Sequence, residues 1–239
     1  MKKILFLLIT FCFAKVFAQN VIVINDKNAE VRLVKNFHGI KVSTGIILYL
    51  SHGEEAAAVS ASEIKYRSKI KTDVENGILK IWYDGDFASK FMFSNHKELK
   101  AYVSYKDIDM LTASAGSDIK VDGIITANHL SVKISSGSDF KGNVDVKELS
   151  VDESSGSNIK IGGKTEKAFI EVSSGSDFNG FDLISEICTA RASSGSDINI
   201  AVNREISAHA SSGSSISYKG NPSIVNATKS SGGGVGKKG

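Results

Sequence analysis

Six nearly identical phrases recur in the second half of this chain at intervals close to twenty residues. They read SAGSDIKV, SSGSDFKG, SSGSNIKI, SSGSDFNG, SSGSDINI and SSGSSISY, centred on Gly116, Gly137, Gly156, Gly175, Gly195 and Gly213. The spacings are 21, 19, 19, 20 and 18 residues, and a degenerate seventh copy follows at Ser230-Ser231-Gly232. A period of this length marks a solenoid, in which each coil buries its apolar face only by stacking on its neighbour. Glycine and serine recur in register rather than as a linker-like smear, which argues for order.

Alignment on the glycines orients each coil. Three residues after the glycine stand Ile119, Phe140, Ile159, Phe178, Ile198 and Ile216, all apolar. Five before it stand Leu111, Val132, Val151, Ile170, Ala190 and Ala208, again all apolar. The positions seven and three before it are apolar too, with Asp109 and Glu153 as the exceptions. The intervening column is mostly polar: Thr112, Lys133, Asp152, Glu171, Arg191 and His209. Inward and outward alternate with a period of two, as in a strand with one buried face. Each coil therefore reads as a strand, the S-S-G-S corner, a second strand and a connection of variable length. These connections run over 122–129, 143–148, 162–167, 181–187 and 201–205. Successive coils stack in parallel at roughly 4.8 Å, and the crossover rule favours a right-handed wind. The fold class predicted is an all-β, right-handed parallel β-helix with coils of about 19–21 residues.

The corner has separable parts. Glycine suits a turn that needs a positive φ. Serine hydroxyls donate and accept at once, so Ser136, Ser155, Ser174, Ser194 and Ser212 form one candidate hydrogen-bonded column along the stack. Ser117, Ser138, Ser157, Ser176, Ser196 and Ser214 form another. Asp118, Asp139, Asn158, Asp177, Asp197 and Ser215 make an acidic column. Stacked carboxylates repel by about 1 kcal/mol per pair in water at that spacing. Lys120, Lys141 and Lys160, two residues on, offset the charge of Asp118 and Asp139. Asp177 and Asp197 face Asn179 and Asn199 instead, so they are the candidates for a cation such as calcium, although two acids alone are a poor ligand set for it.

The chain opens on Met1-Lys2-Lys3, an apolar run from Ile4 to Ala14, and Val16-Phe17-Ala18, which reads as a signal peptide over 1–18. Cys12 lies in the apolar run without the context of a lipid-attachment box. Removal of this segment takes three lysines from 29 basic side chains and leaves 26 against 26 acidic ones. A neutral chain gives no long-range attraction to nucleic acid. No later segment is apolar enough to span a bilayer. Cys188 is then the only cysteine, so burial and hydrogen bonds must hold the fold without an internal disulfide.

Residues 19–105 are β-rich but lack the S-S-G-S-D phrase. Strands are predicted at Ile40–Val42, Ile46–Leu50, Ile64–Lys71 and Ile78–Tyr83, the last after an Asn76-Gly77 turn. This segment reads as atypical opening coils or a cap, 106–229 as the repeat, and 230–239 as a flexible tail, with 19–229 as one continuous domain. Pro222, the single proline, suits an edge.

Catalytic signatures are thin. His38, His52, His96, His129 and His209 have no metal-ligand spacing, and Cys188 falls in a buried column. No G-x-S-x-G elbow accompanies the serines. A glycan-active enzyme needs a cluster of unlike acids, whereas the acids of the repeat form one column. No catalytic residue, cofactor or resident metal is expected.

The serial S-S-G-S-D phrases, the strand Asn76-Gly77-Ile78-Leu79-Lys80-Ile81 and the closing Ile216-Ser217-Tyr218-Lys219-Gly220-Asn221-Pro222 resemble the putative auto-transporter adhesin, head GIN domain family. This is a domain of unknown function common in exported proteins of Bacteroidetes. The likeness spans roughly Val31 to Gly234. It implies a right-handed β-helix and an envelope location, in the periplasm, at the surface or outside the cell, and supplies no catalytic residues. The function expected is that of a non-enzymatic exported module binding glycan or another envelope protein through its flat faces. The outward columns and the variable connections, above all 122–129, are the expected contacts. A polysaccharide lyase or hydrolase, and a purely structural or self-associating module, are the alternatives.

Overall fold

The computed structural model describes residues 26–85 and 98–239. The signal peptide expected over 1–18, Cys12 and His96 lie outside the described residues. The chain is 67% strand and 2% helix, in stacked parallel coils that form a β-solenoid of about 7 turns with ~19 residues per turn. The coil is thus the structural unit.

Five long strands build the body: β9 (Asp118–Ser135), β10 (Asp139–Ser154), β11 (Asn158–Val172), β12 (Asp177–Ala192) and β13 (Asp197–Ala210). Each runs from one corner to the next and pairs in parallel with the coil on either side. The register follows the repeat: Phe140 lies opposite Ile119 and Ile159, and Val151 opposite Val132 and Ile170. The columns read as inward from the sequence are buried, Ile119, Phe178, Leu111 and Val132 completely so. Full burial of such a side chain contributes about 1.5–3 kcal/mol, and one coil supplies several. The length variation of the connections is absorbed by register shifts at Lys141/Asn143, Lys160/Gly162, Gly180/Ile184 and Ser185/Ile187.

The opening segment is stacked out of chain order. Strands β1 (Glu30–Arg32), β2 (Gly39–Ser43), β3 (Ile47–His52), β4 (Ala56–Ser60), β5 (Ile70–Glu75), β6 (Ile78–Tyr83), β7 (Lys100–Tyr105) and β8 (Met110–Ser114) precede the body. Strand β2 lies between β6 and β8, and β3 between β7 and β9, all in parallel. The coil β2–β3 is therefore held between a coil that comes later in the chain and the first coil of the body. Beyond it the pattern turns antiparallel, β4 with β7, β1 with β4, and β5 with β6. The Asn76-Gly77 turn joins β5 to β6 with φ of 52° and 75°, the positive pair of a tight hairpin turn.

Two expectations differ from the structure. Residues 64–71 are not one strand. A single helical turn, α1 (Ile64–Arg67), precedes β5, held by N–H donation from Tyr66 and Arg67 to the Glu63 carbonyl. Arg67 also donates to the carbonyl of Asn28 and pairs with Glu30, so tertiary contacts override the β-branched pattern. Residues 230–239 are not a loose tail. After β14 (Ser215–Lys219) and β15 (Ile224–Lys229), Ser231 and Gly232 repeat the corner, and β16 (Gly234–Lys237) pairs in parallel with β14.

Candidate functional site

The corners are the most repeated chemistry in the chain. Both Ser136 and Gly137 have positive φ, 58° and 67°, and the same pair recurs at 155–156, 174–175, 194–195 and 212–213. Two successive positive φ values define a two-residue turn of the primed kind. Main-chain bonds join the corners along the stack. Gly137 N–H donates to the Ser155 carbonyl at 3.0 Å, and Gly156, Gly175 and Gly195 do the same to Ser174, Ser194 and Ser212. The hydroxyls of Ser136, Ser155, Ser174, Ser194 and Ser212 are exposed, and the column is linked through carbonyls.

The serines after the glycine point inward and are buried. Their oxygens bridge main chain to main chain. Ser138 Oγ accepts from Ser117 N–H at 3.1 Å, Ser176 Oγ accepts from Ser157 N–H at 3.2 Å, and Ser196 Oγ donates to the Val172 carbonyl at 2.8 Å. Ser117 Oγ accepts from Gly45 N–H at 3.0 Å and so fixes the coil β2–β3 onto the body. Thr44 and Gly45 adopt φ of 69° and 77°, the same corner without its serines.

The acidic column lies on the outer side of the second strand. Asp177 and Asp197 are paired in register and exposed, between Asn158 and Ser215. Among the described residues no group of three or more His, Cys, Asp or Glu is placed to hold a metal ion. Burial, then the neighbouring Asp139, holds the Asp118 carboxyl above its ordinary value, with Lys120 opposing. Lys120 Nζ lies 5.7 Å from the Tyr49 ring centroid, and Asn158 Nδ2 donates to Asp139 at 3.0 Å. The interrupting asparagine thus supports Asp139 directly. Tyr49 stacks on Tyr102 at 5.3 Å with an interplanar angle of 16°. The phenol of Tyr102 donates to Asp26 Oδ2 at 2.8 Å, and burial, then that bond, raises its pKa. Tyr49, flanked by Tyr102 and Lys120, offers little open ring face for a sugar to stack on.

A groove of about 980 Å³ lies where the connections turn into the next coil. Three coils contribute equivalent stretches, Thr126–His129, Asp145–Lys147 and Lys164–Glu166, and Ile184 and Glu186 extend it. His38 and Asp107–Asp109 close one end. The stretches are aligned because Thr126, Asp145, Lys164 and Ile184 share one register column. Thr165 Oγ1 donates to the carbonyl of Lys167 at 2.9 Å, and Ser185 Oγ to that of Ile187 at 2.8 Å, which fixes the bend. The charges are arranged in pairs. Asp145 lies 3.1 Å from Lys164, and His38 Nδ1 lies 2.8 Å from Asp109. Lys147 and Glu166 line the groove as well. Two smaller hollows lie near Asp26 and Tyr102, and near Arg191 and His209.

Of the connection 122–129, the groove takes the part from Thr126 onward. Neither Asp177 nor Asp197 lines it. Lys147, Lys164, Glu166 and Glu186 lie in the connections 143–148, 162–167 and 181–187, which the sequence marks as contacts without distinguishing these residues, whereas His38 and Asp109 line the groove with no such mark. The equal spacing of Asp145 and Lys164 from their corner glycines (eight residues each) was the available signal. Cys188 is fully buried, and burial pushes its thiol up to about 12, so it is a core side chain and not a nucleophile.

The family model for the putative auto-transporter adhesin, head GIN domain matches residues 36–222. The chain belongs to this family. Solved structures share the fold at low identity. A putative adhesin from Bacteroides fragilis is 18% identical with a TM-score of 0.78, over 89% of this chain and 98% of that one. A putative lipid binding protein from Parabacteroides distasonis is 17% identical with a TM-score of 0.66, over 90% and 98%. A putative adhesin from Parabacteroides merdae is 14% identical with a TM-score of 0.65, over 89% and 96%. No curated protein matches the sequence.

Proposed function

We propose that the chain is an exported, non-enzymatic binding module with an adhesin-like role, whose side groove takes an extended polar ligand, a glycan or a segment of another envelope protein. The groove carries this reading. It is the place where several coils combine unlike polar groups, Asn128, His129, Lys147, Lys164 and Glu166, at the coil spacing of roughly 4.8 Å. An extended ligand lying along the stack meets one such set per coil. The ion pairs across the groove leave its groups placed but exposed, which suits recognition by hydrogen bonds. The family description and the adhesin names of two structural neighbours support the same role.

The test is calorimetry against a panel of soluble bacterial envelope polysaccharides and synthetic envelope-protein peptides. A ligand that binds the native protein is expected to lose about tenfold or more in affinity when Lys147 and Lys164 are both changed to alanine, with no change in melting. A ligand bound equally by the double variant would move the site elsewhere. A glycan-active enzyme is the second reading, because the groove also gathers unlike acids and two histidines. New reducing ends released by the native protein, and not by Glu166→Gln, would put that reading first.

A further inference from the structure

Charge is segregated along the solenoid. Residues 215–239 contain Lys219, Lys229, Lys237 and Lys238 and no acid. Of the 29 basic and 26 acidic side chains, three basic ones precede residue 19 and these four lie in the last coil, which leaves 22 basic against 26 acidic between. Among the described residues none of the four lysines forms an ion pair. The ammonium groups of Lys219 and Lys238 instead converge on one ring, 4.5 and 5.4 Å from the centroid of Phe181. Lys237 Nζ donates to Asn221 Oδ1 at 3.2 Å. Two like charges thus share one ring, with no ion pair to either among the described residues.

The same coil presents apolar surface. All six residues of β15 are exposed, and Ile224 and Val225 are among the exposed large apolar side chains. Among the described residues strand β15 pairs with β13 alone, and the sheet order ends on β16. No residue of this coil lines any of the three concavities described above. A second copy docked coil to coil would set four lysines against four. Residues 26–85 at the other end carry nine basic and eight acidic side chains, so that end has no complementary charge. What fits a coil with clustered cations and a few exposed apolar side chains is a broad anionic surface with an apolar interior.

We propose that the coil of β14, β15 and β16 docks onto a bilayer bearing anionic headgroups. The lysines supply the attraction, and Ile224 and Val225 enter the headgroup boundary. The acidic body is then repelled from the same surface, so the solenoid stands away from the bilayer with its side groove open. This inference is independent of what the groove binds.

The test is sedimentation of the purified protein with vesicles of phosphatidylcholine alone and of phosphatidylcholine mixed with phosphatidylglycerol. Binding is expected only to the mixed vesicles and is abolished by high salt. The variant Lys219→Gln/Lys237→Gln/Lys238→Gln should bind about a hundredfold more weakly, at about fivefold per lysine. Lys237 and Lys238 are exposed and Lys219 is half-buried, and an unchanged melting curve checks that the variant is folded. Equal binding to both vesicle types, binding to neither, or full binding by the triple variant would overturn the proposal. So would dextran sulfate binding as tightly as the mixed vesicles, because the partner would then be a soluble polyanion.

Discussion

Glu153 is the one acid in an inward column that otherwise holds Ala113, Ile134, Val172, Ala192 and Ala210. It is 1% exposed, and among the described residues neither carboxyl oxygen has a hydrogen-bond partner. The nearby Ser157 hydroxyl is directed at the carbonyls of Ser154 and Ile134 instead. Burial, then the charge of Asp177, pushes the Glu153 carboxyl up to about 8 from an ordinary 4.5. The folded state therefore holds this proton more tightly than the unfolded chain. Stability falls as pH rises from about 4.5, and the loss is complete above the folded value near 8. The limit is a few kcal/mol, because each tenfold difference in proton affinity between the two states is worth about 1.4 kcal/mol. Glu153→Ile should match its neighbours in the column, change stability little at about pH 4.5, and raise it by a few kcal/mol at about pH 9. Urea melts at both pH values read this directly. A variant that melts with the same pH slope as the native protein would show that Glu153 is not the group responsible.

At the scale of the element, the corners and the bends make different demands on glycine. An added Cβ at Gly156 meets nothing within 4 Å, so Gly156→Ala costs only the left-handed backbone, about 1 kcal/mol. At Gly163 the φ is +107°, and an added Cβ lies 2.0 Å from the Val144 carbonyl oxygen of the neighbouring coil. Gly163→Ala must push two coils apart or break their register, at roughly 2–4 kcal/mol. The two variants should therefore separate clearly in urea midpoint, and equal midpoints would refute the distinction. This contrast also shows what the sequence could reveal. The corners and buried columns were legible because their period repeats and each coil faces its neighbour in register. The demand at Gly163 was not, because it depends on how closely the carbonyl of Val144, its partner in the neighbouring coil, approaches a residue of positive φ. The corner at Thr44-Gly45 was missed for a related reason. Ile46 and Ile47 stand where Ser117 and Asp118 stand in the next coil, and only pairing across some seventy residues exposes the equivalence. The groove was half legible: the connections were suspect, but the alignment of Thr126, Asp145 and Lys164 is a product of stacking.

For the whole molecule, the solenoid makes stability local. Each coil bonds only to its neighbours, so opening free energy is a sum over adjacent coils and not a property of one core. Strands β10, β11 and β12 are paired on both sides along their length. Their inward columns are closed by coils above and below. Strand β15 has one partner and six exposed residues, so it has the least apolar burial to lose on opening. Native-state hydrogen exchange should give the lowest protection in β15 and β16, rising through β14 and β13 to a plateau in β10–β12. The N-terminal side should not mirror this gradient. There β2 and β3 are each held between two parallel strands, and Ser117 ties Gly45 and Ile46 to the body. Protection that is uniform from β9 to β16 would mean the molecule opens as one cooperative block, and the nearest-neighbour account would fail. Protection of β15 that rises on adding vesicles containing phosphatidylglycerol, with β10–β12 unchanged, would place the bound surface on the terminal coil.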